Sequence, residues 1–365
     1  MSMKVVLLHD WLVGHRGGER VLEALCELYP EAPIYTLIHE KNSTSALIES
    51  KKIIPSFLNK VPGIYKHYRK FLPLFPKAAE SLHIEQADLV ISSSHCVIKG
   101  VKKPSKAKHI SYIHSPMRYI YDQFDVYFGK NAPIYQRMGA KVFRDYLTNW
   151  DLNSNENIDL LIANSRFVQQ RIKNYYKKDS TVIHPFVDLK DFSNVKNKKE
   201  DYFVMVTAFA PNKRVDLAIE AFNKLGLPLR IIGSGQQEEE LKAMSSDNIS
   251  FLGNVSREEV IKNLSGARAL IFPGVEDFGI TPLEALASGT AVIAFGKGGV
   301  LETLNDDVAV FFNEASSDSL IDAIKRFELK DLDQQNLIQR AYQFSKESFQ
   351  ENIKNVVSQV MANKA

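Results

Sequence analysis

The sequence predicts an α/β protein with two domains, each built on a parallel sheet. Short strand-like segments at 4–8, 87–92, 108–113 and 269–272, the first and last of them apolar runs, stop abruptly at Gly, Pro, His or polar residues, as buried parallel strands do. Stretches with helical spacing at 19–28, 166–176 and 215–225 lie between such runs, which is the β–α alternation of a doubly wound sheet. At 365 residues the chain also exceeds the size at which one core usually stops growing.

Composition narrows the function classes. Apolar residues make up 45% and charged residues 24%, as in an ordinary globular protein. A net charge of +3 is too weak a field to argue for nucleic acid, so no nucleic-acid partner is expected. Cys26 and Cys96 are the only cysteines, which argues against a disulfide scaffold and fits a reducing compartment. No apolar run reaches the roughly 18 residues of a membrane span. The run at 4–8 stops at His9 and Asp10 and reads as a first strand, not a leader.

The most informative stretch is 267–299. Its apolar run at 269–272 ends at Pro273 and Gly274, and a polar loop follows at 275–279. Thr281, Pro282 and Glu284 then fall at the N-cap, first and third positions expected of a new helix, a capping box. The helix should end at Gly289, before a strand at 290–295. A helix N-terminus at the carboxyl end of a parallel sheet is where such sheets bind ligands. Two readings of the glutamates stay open. Glu284 is a cap and Glu276 a solvated charge, or N–H groups around Gly279, Ile280 and Thr281 hold a phosphate while a carboxylate holds sugar hydroxyls.

Residues 276–284, EDFGITPLE, resemble the E-x7-E motif of family 4 retaining glycosyltransferases of the GT-B fold. The trailing EALASGTAVI, Gly298, Gly299 and Glu302 fit the same family. The resemblance extends, with gaps, over nearly the whole chain, and is closest to bacterial GDP-mannose-dependent mannosyltransferases of polysaccharide and lipopolysaccharide assembly. It implies two Rossmann-like domains facing across a cleft. The expected boundaries are 1–188 for an acceptor-side domain, 189–200 for a linker, 201–338 for a nucleotide-sugar domain and 339–365 for a helix crossing back. Tyr342, Phe344, Phe349 and Ile353 are candidates for that return contact. The resemblance also implies that Glu276 faces the donor sugar and Glu284 binds the ribose, with Phe278 to Thr281 at the donor.

In chain order, a glycine-bearing loop at 9–18 joins the first strand to a helix at 19–28. It lacks the dinucleotide fingerprint spacing. The resemblance sets Gly17 and Gly18 at the donor phosphates and His15 and Arg16 on the acceptor side. Residues 53–79 mix Lys60, Lys66, Arg69, Lys70 and Lys77 with aromatics. This suits either contact with an anionic membrane surface or an ordinary amphipathic helix pair packed on the sheet. His114 follows a strand at 108–113 and either closes the strand end or, by resemblance, contacts the donor sugar near the reaction centre. Arg118, Tyr119 and Asp122 then look like acceptor-side residues. An aromatic stretch continues through Tyr121, Phe124, Tyr127, Phe128, Tyr135, Phe143, Tyr146 and Trp150, suited to sugar stacking or to core packing.

In the second half, a strand at 202–206 leads to Lys213 and Arg214 just before a helix at 215–225. Cations there oppose the helix dipole, which supports a pyrophosphate at that place; a solvated pair of surface cations, cheap enough to be common, is the other reading. The family places an arginine five residues before the lysine. That position is Ala208 here, so Arg214 or Arg16 is left to supply the charge, or the arrangement differs. By resemblance Gly233, Gly253 and Val255 line the nucleoside pocket, and Ser256 with Glu259 caps the next helix.

The implied reaction moves a hexose, mannose from GDP-mannose, to a glycan or polyprenyl-linked acceptor with retained configuration. The resemblance implies no cofactor and no metal. A cytoplasmic place, associated with the inner face of the plasma membrane, follows from the same likeness. A nucleotide-sugar epimerase and a non-catalytic nucleotide-sugar-binding protein share the architecture and remain alternatives.

Overall fold

The computed structural model describes residues 3–122, 124, 134–192 and 198–362, the side chains of 134–140 excepted. The chain divides into two compact units, Met1–His184 with Gln350–Ala365, and Pro185–Phe349. Both are parallel-sheet α/β units of the Rossmann-like kind.

The first unit holds β1 (Val5–Leu12), β2 (Ile34–His39), β3 (Ile53–Pro55), β4 (Leu89–Ser94), β5 (Lys108–Ile113), β6 (Leu160–Ala163) and β7 (Thr181–Val182). Their order is β3-β2-β1-β4-β5-β6-β7, and every pairing is parallel. β1 runs four residues past the expected stop at Leu8. His9 and Asp10 are fully buried inside it. They can be, because Asp10 accepts four backbone N–H bonds, from His95, Cys96, Val97 and Ile98, at 2.7–2.9 Å. The following helix, Gly17–Leu28, starts two residues earlier than its apolar spacing indicates, because the Arg16 N–H donates to Glu19 Oε2 at 2.9 Å and closes the first turn.

The basic aromatic segment is not a helix pair. It forms β3 and four short helices, Phe57–Lys60, Ile64–His67, Tyr68–Leu74 and Phe75–Glu80. Pro62, Pro73 and Pro76 remove the N–H groups a longer helix would need. Leu58, Ile64 and Phe75 pack in the core while Phe57, Tyr65 and Leu74 are exposed. β7 stops at Val182, ahead of Pro185.

The second unit holds β8 (Phe203–Val206), β9 (Leu229–Ile232), β10 (Ile249–Gly253), β11 (Ala269–Phe272), β12 (Ala291–Phe295) and β13 (Ala309–Phe312). The order is β10-β9-β8-β11-β12-β13, again all parallel. Helices Val215–Leu225 and Ser317–Glu328 cover one face, and Ile280–Ala287 with Gln334–Tyr342 cover the other. Leu189–Phe192 is a short helix whose Phe192 is buried in this unit's core.

The tail expected as one helix is two, Gln334–Tyr342 and Lys346–Ala362. Phe344 packs on Phe278 at 5.9 Å between ring centroids, and Phe349 on Phe186 at 5.3 Å, so both rings belong to the second unit. Tyr342 is exposed. From Gln350 onward the helix joins the first unit, where Gln350 donates to the Ala24 carbonyl and to Glu27 Oε2, and Ile353 is buried.

In each sheet the strand order reverses once, between β1 and β4 and between β8 and β11. Loops leaving the carboxyl ends of those neighbours diverge and leave a crevice, the usual ligand position in open α/β sheets.

Candidate functional site

At the β8–β11 reversal the two expected chemical groups meet. Lys213 ends the short helix Pro211–Lys213 after β8, and Glu276 sits in the loop after β11. The Lys213 ammonium is in direct ion-pair contact with Glu276 Oε1, both side chains about a quarter exposed. Gly274 makes this possible. A Cβ there would lie 2.7 Å from the Asn212 carbonyl oxygen and 3.0 Å from Lys213 Cα, so only glycine lets the two loops touch. On the other side, Gly299 N–H donates to the Glu276 carbonyl at 2.9 Å, and Glu276 bridges to Gly298. The loop carrying Glu276 is therefore clamped between two backbone approaches.

The helix after this loop is Ile280–Ala287, with Gly279 at its N-cap at φ +90°. This corrects the capping-box reading. Thr281 and Pro282 are the second and third helical residues, and Glu284 lies one position beyond the first turn's end. The physical reason is Gly279. Its left-handed φ lets the chain turn into the helix two residues sooner than a Thr cap would. Ile280 and Thr281 open the helix with their N–H groups aimed out of its start, while Pro282 has none to offer. Phe278 is buried against Phe344, so its backbone, not its ring, borders this point.

Glu284 is buried and receives Arg257 Nη1 at 2.8 Å. Arg257 also meets Asp191 at 3.2 Å and lies over the Phe192 ring. Sequence reading did not find Arg257; its only signal is a cation just after the Ser256 cap, which does form, Ser256 accepting from the Glu259 N–H. Arg214 folds onto Asp216, its Nε 3.2 Å from both carboxylate oxygens. Gly233 packs where a Cβ would collide with the Thr207 carbonyl, and its N–H donates to the Gly253 carbonyl at 2.9 Å. Val255 is partly buried and packs against the core of this unit.

In the first unit, the carboxyl ends of β1, β4 and β5 gather a histidine cluster. His114 Nε2 is 2.8 Å from Ser93 Oγ, and Ser93 Oγ is 3.2 Å from His9 Nδ1. His9 Nε2 is 3.6 Å from Glu19 Oε1. His95 lies edge-on to His114, with ring centroids 6.3 Å apart. Burial, with His95 and His9 nearby, brings the His114 pKa down to about 3, so the ring is neutral near pH 7. Burial works against the Glu19 carboxylate, yet the His9 hydrogen bond and charge and the Arg16 N–H hold its pKa at about 2. Gly18 sits against this cluster, its Cβ position 3.5 Å from His9 Cε1 and 3.8 Å from His114 Nε2. Gly17 opens the adjoining helix. His9, Asp10, Ser93 and His95 were not singled out from sequence as a group; polar residues at the ends of apolar runs were their one signal.

The remaining expected residues have defined neighbours. His15 pairs with Glu23 at 3.3 Å. Arg16 precedes the helix. Tyr119 Oη is 2.8 Å from Cys96 Sγ. Asp122 is paired with Arg171 at 2.9 Å, and Arg171 also donates to Ser115 Oγ at 3.0 Å, tying down the loop that follows His114. Arg118 is half-buried in that loop. The side chains of Tyr127, Phe128 and Tyr135 lie outside the described residues. Among the described residues no three His, Cys, Asp or Glu side chains are grouped to hold a metal ion, and no helix is long and apolar enough to cross a membrane.

Comparison with known proteins agrees with this architecture. The profile of "Glycosyltransferase Family 4" matches residues 15–191, and that of "Glycosyl transferases group 1" matches residues 186–344. The O-antigen chain mannosyltransferase RfbU of Salmonella typhimurium is 31% identical over 173 residues, 44% of this chain and 48% of that protein. The GDP-mannose-dependent monoacylated alpha-(1-6)-phosphatidylinositol monomannoside mannosyltransferase of Corynebacterium glutamicum is 27% identical over 194 residues, 45% of this chain and 51% of that one. The chain thus spans about half the length of the curated relatives it matches. The structure of sucrose-phosphate synthase from Thermosynechococcus elongatus superposes with a TM-score of 0.74 at 18% identity, over 99% of this chain and 100% of that one, a likeness of fold. With two parallel-sheet units, one family profile on each, and the acidic loop and lysine at the second switch point, the chain is related to the GT-B glycosyltransferases of family 4 and group 1.

Proposed function

We propose that the protein transfers a hexose from a nucleotide diphosphate sugar to an acceptor hydroxyl with retention of configuration. The donor is GDP-mannose and the acceptor a glycan or a polyprenyl-linked saccharide. One observation carries the reading: the Lys213–Glu276 pair beside the N-terminus of Ile280–Ala287, at the reversal of the second sheet. A cation and a helix start suit a diphosphate, and an adjacent carboxylate suits sugar hydroxyls.

The barrier lies in breaking the bond from the anomeric carbon to phosphate. Negative charge grows on the leaving diphosphate and positive character on the sugar. Lys213 and the N–H groups of Ile280 and Thr281 meet the first, and Arg214 adds to them once it leaves Asp216. Losing one such donor costs about 2.7–4 kcal/mol of the barrier lowering. Glu276 orients the sugar once the diphosphate has taken over Lys213. Glu284 takes the ribose hydroxyls, with Gly233, Gly253 and Val255 at the nucleoside. Gly17 and Gly18 offer backbone to the phosphates, and His114 serves the sugar. His15, Arg16, Arg118, Tyr119 and Asp122 serve the acceptor side, where the exposed aromatics of 53–79 adjoin a lipid-linked substrate at an anionic membrane. Mannose is favoured by the names of the two mannosyltransferase relatives, and GDP by the name of the Corynebacterium glutamicum one and by the motif likeness.

The test is mass-resolved transfer from GDP-mannose to a bacterial lipid extract. An acceptor-dependent mannosylated product with the α-configuration kept supports the reading. Release of nucleotide or an epimerised sugar without acceptor contradicts it, as does binding with no turnover.

A further inference from the structure

We propose that Glu19, His9 and Ser93 are positioning residues that fix His114 as the tautomer protonated on Nε2, leaving Nδ1 as an acceptor for a donor-sugar hydroxyl. The sugar-facing part rests on the function proposed above; the tautomer does not.

Ser93 Oγ stands between two ring nitrogens, His9 Nδ1 at 3.2 Å and His114 Nε2 at 2.8 Å. A hydroxyl has one proton to give. It can donate to one of the two rings and must accept from the other. Which way it points is decided at the far end of the chain. Glu19 is ionised, its Oε2 already engaged by the Arg16 N–H, and its Oε1 faces His9 Nε2 at 3.6 Å. That separation is longer than a good hydrogen bond, but His9 is fully buried, so the carboxylate's field on it is weakly screened. A His9 with a single ring proton is therefore driven to carry it on Nε2, toward the carboxylate. A lone pair there would face a buried anion. His9 Nδ1 then accepts the Ser93 proton, and Ser93 Oγ accepts from His114 Nε2–H. With one ring proton on His9, Ser93 meets both rings in this sense only; a His9 carrying both ring protons would turn Ser93 round and leave His114 protonated on Nδ1, which is the outcome the experiment is set to detect.

The backbone of His114 is held too, so the ring is fixed in place as well as in proton position. Its N–H donates to the Ser94 carbonyl at 2.9 Å, and its carbonyl accepts from Asn164 Nδ2 at 2.9 Å. His95 and Asp10, beside the cluster, are tied to each other at 3.5 Å, and the Tyr112 ring packs on His114 at 5.1 Å between centroids. Helix capping alone explains why Glu19 bonds to the Arg16 N–H. It does not explain why the carboxylate's other oxygen and a buried serine line up with two histidines.

The experiment reads ring nitrogen shifts by long-range proton–nitrogen NMR on histidine-labelled protein at about pH 8, above the ordinary histidine range. His114→Gln assigns the signals. Glu19→Gln keeps a capping-box residue at that position, so the fold is retained while the charge is removed. Ser93→Ala removes the bridge. We expect wild-type His114 to show a protonated Nε2 and an unprotonated Nδ1, with both nitrogens moving toward intermediate shifts in each variant. A wild-type His114 protonated on Nδ1 overturns the proposal, and so does a pattern unchanged in both variants. Transfer kinetics separate the two claims. Loss of one hydrogen bond should lower kcat in Ser93→Ala about tenfold, with the donor KM changed by less than about twofold. Altered tautomers with undiminished transfer would overturn the sugar-facing role of His114 and leave the relay standing.

Discussion

Replacing Gly299 with alanine probes the clamp on the acidic loop with a single methyl group. A Cβ at Gly299 would lie 2.6 Å from Phe278 Cα, 2.5 Å from the Asp277 carbonyl carbon and closer still to its oxygen. All three are backbone atoms, so no side chain can swing away. The loop must retreat by roughly an ångström to restore ordinary contact, and it loses the Gly299 N–H bond to the Glu276 carbonyl on the way. Overpacking of this kind costs about 1–3 kcal/mol, or roughly 2–12 °C in melting temperature for a unit of this size. The functional loss should be larger in proportion. Glu276 and the helix start move together, and a misplacement near 1 Å costs about a hundredfold in rate. The assay is initial transfer rate at saturating donor, read beside a thermal melt. Gly14→Ala is the steric control, because nothing lies within 4 Å of its Cβ position. A Gly299→Ala protein with wild-type melting and wild-type rate would refute the clamp.

Further predictions separate binding from folding. Lys213→Ala should lower transfer about 10²- to 10³-fold, while its partly exposed pair with Glu276 contributes only about 0–1 kcal/mol to stability, which a melt would register. Glu284→Gln keeps the shape of a buried side chain and removes its charge; GDP affinity by calorimetry should fall about 10- to 150-fold. Thr281→Ala should cost less than about 0.5 kcal/mol by denaturant titration, since Gly279 and not Thr281 caps the helix; a loss near 1–2 kcal/mol would restore the capping box. His109 is fully buried, and burial first, then Lys103 and Lys99, lower its pKa from 6.5 to about 3. The unfolded chain therefore takes up a proton that the folded one refuses. Stability is complete above the unfolded value and falls as the pH drops from 6.5 toward 3, by about 1.4 kcal/mol per unit. His109→Gln should flatten the acid slope by that amount, and an unchanged slope would contradict it.

The strand pattern was legible because the run at 269–272 is apolar on both faces, as β11 is in the structure, and because Ile110, Tyr112 and Ile113 mark 108–113 as a strand around the buried His109 and Ser111 of β5. The helices Arg166–Tyr176 and Val215–Leu225 have the bounds their spacing indicates. What misled was local polarity. His9 and Asp10 look like a strand end until the four N–H groups that satisfy Asp10 are known, and those lie 85–88 residues away in sequence. Thr281 and Glu284 have capping-box spacing, but a glycine able to take φ +90° starts the helix sooner. In the site, Lys213 and Glu276 could each be named from sequence. That Gly274 lets them touch could not, because close approach of two backbones leaves no periodic signal. Arg257 has none either, since its partners Glu284 and Asp191 are set by tertiary packing.

A structure of the protein soaked with GDP-mannose tests the central claim most directly. In that structure Lys213 Nζ should leave Glu276 for a diphosphate oxygen, the N–H groups of Ile280 and Thr281 should lie within hydrogen-bond reach of the same group, and the ribose hydroxyls should meet Glu284. A nucleotide held elsewhere, with Lys213 still on Glu276, would contradict it.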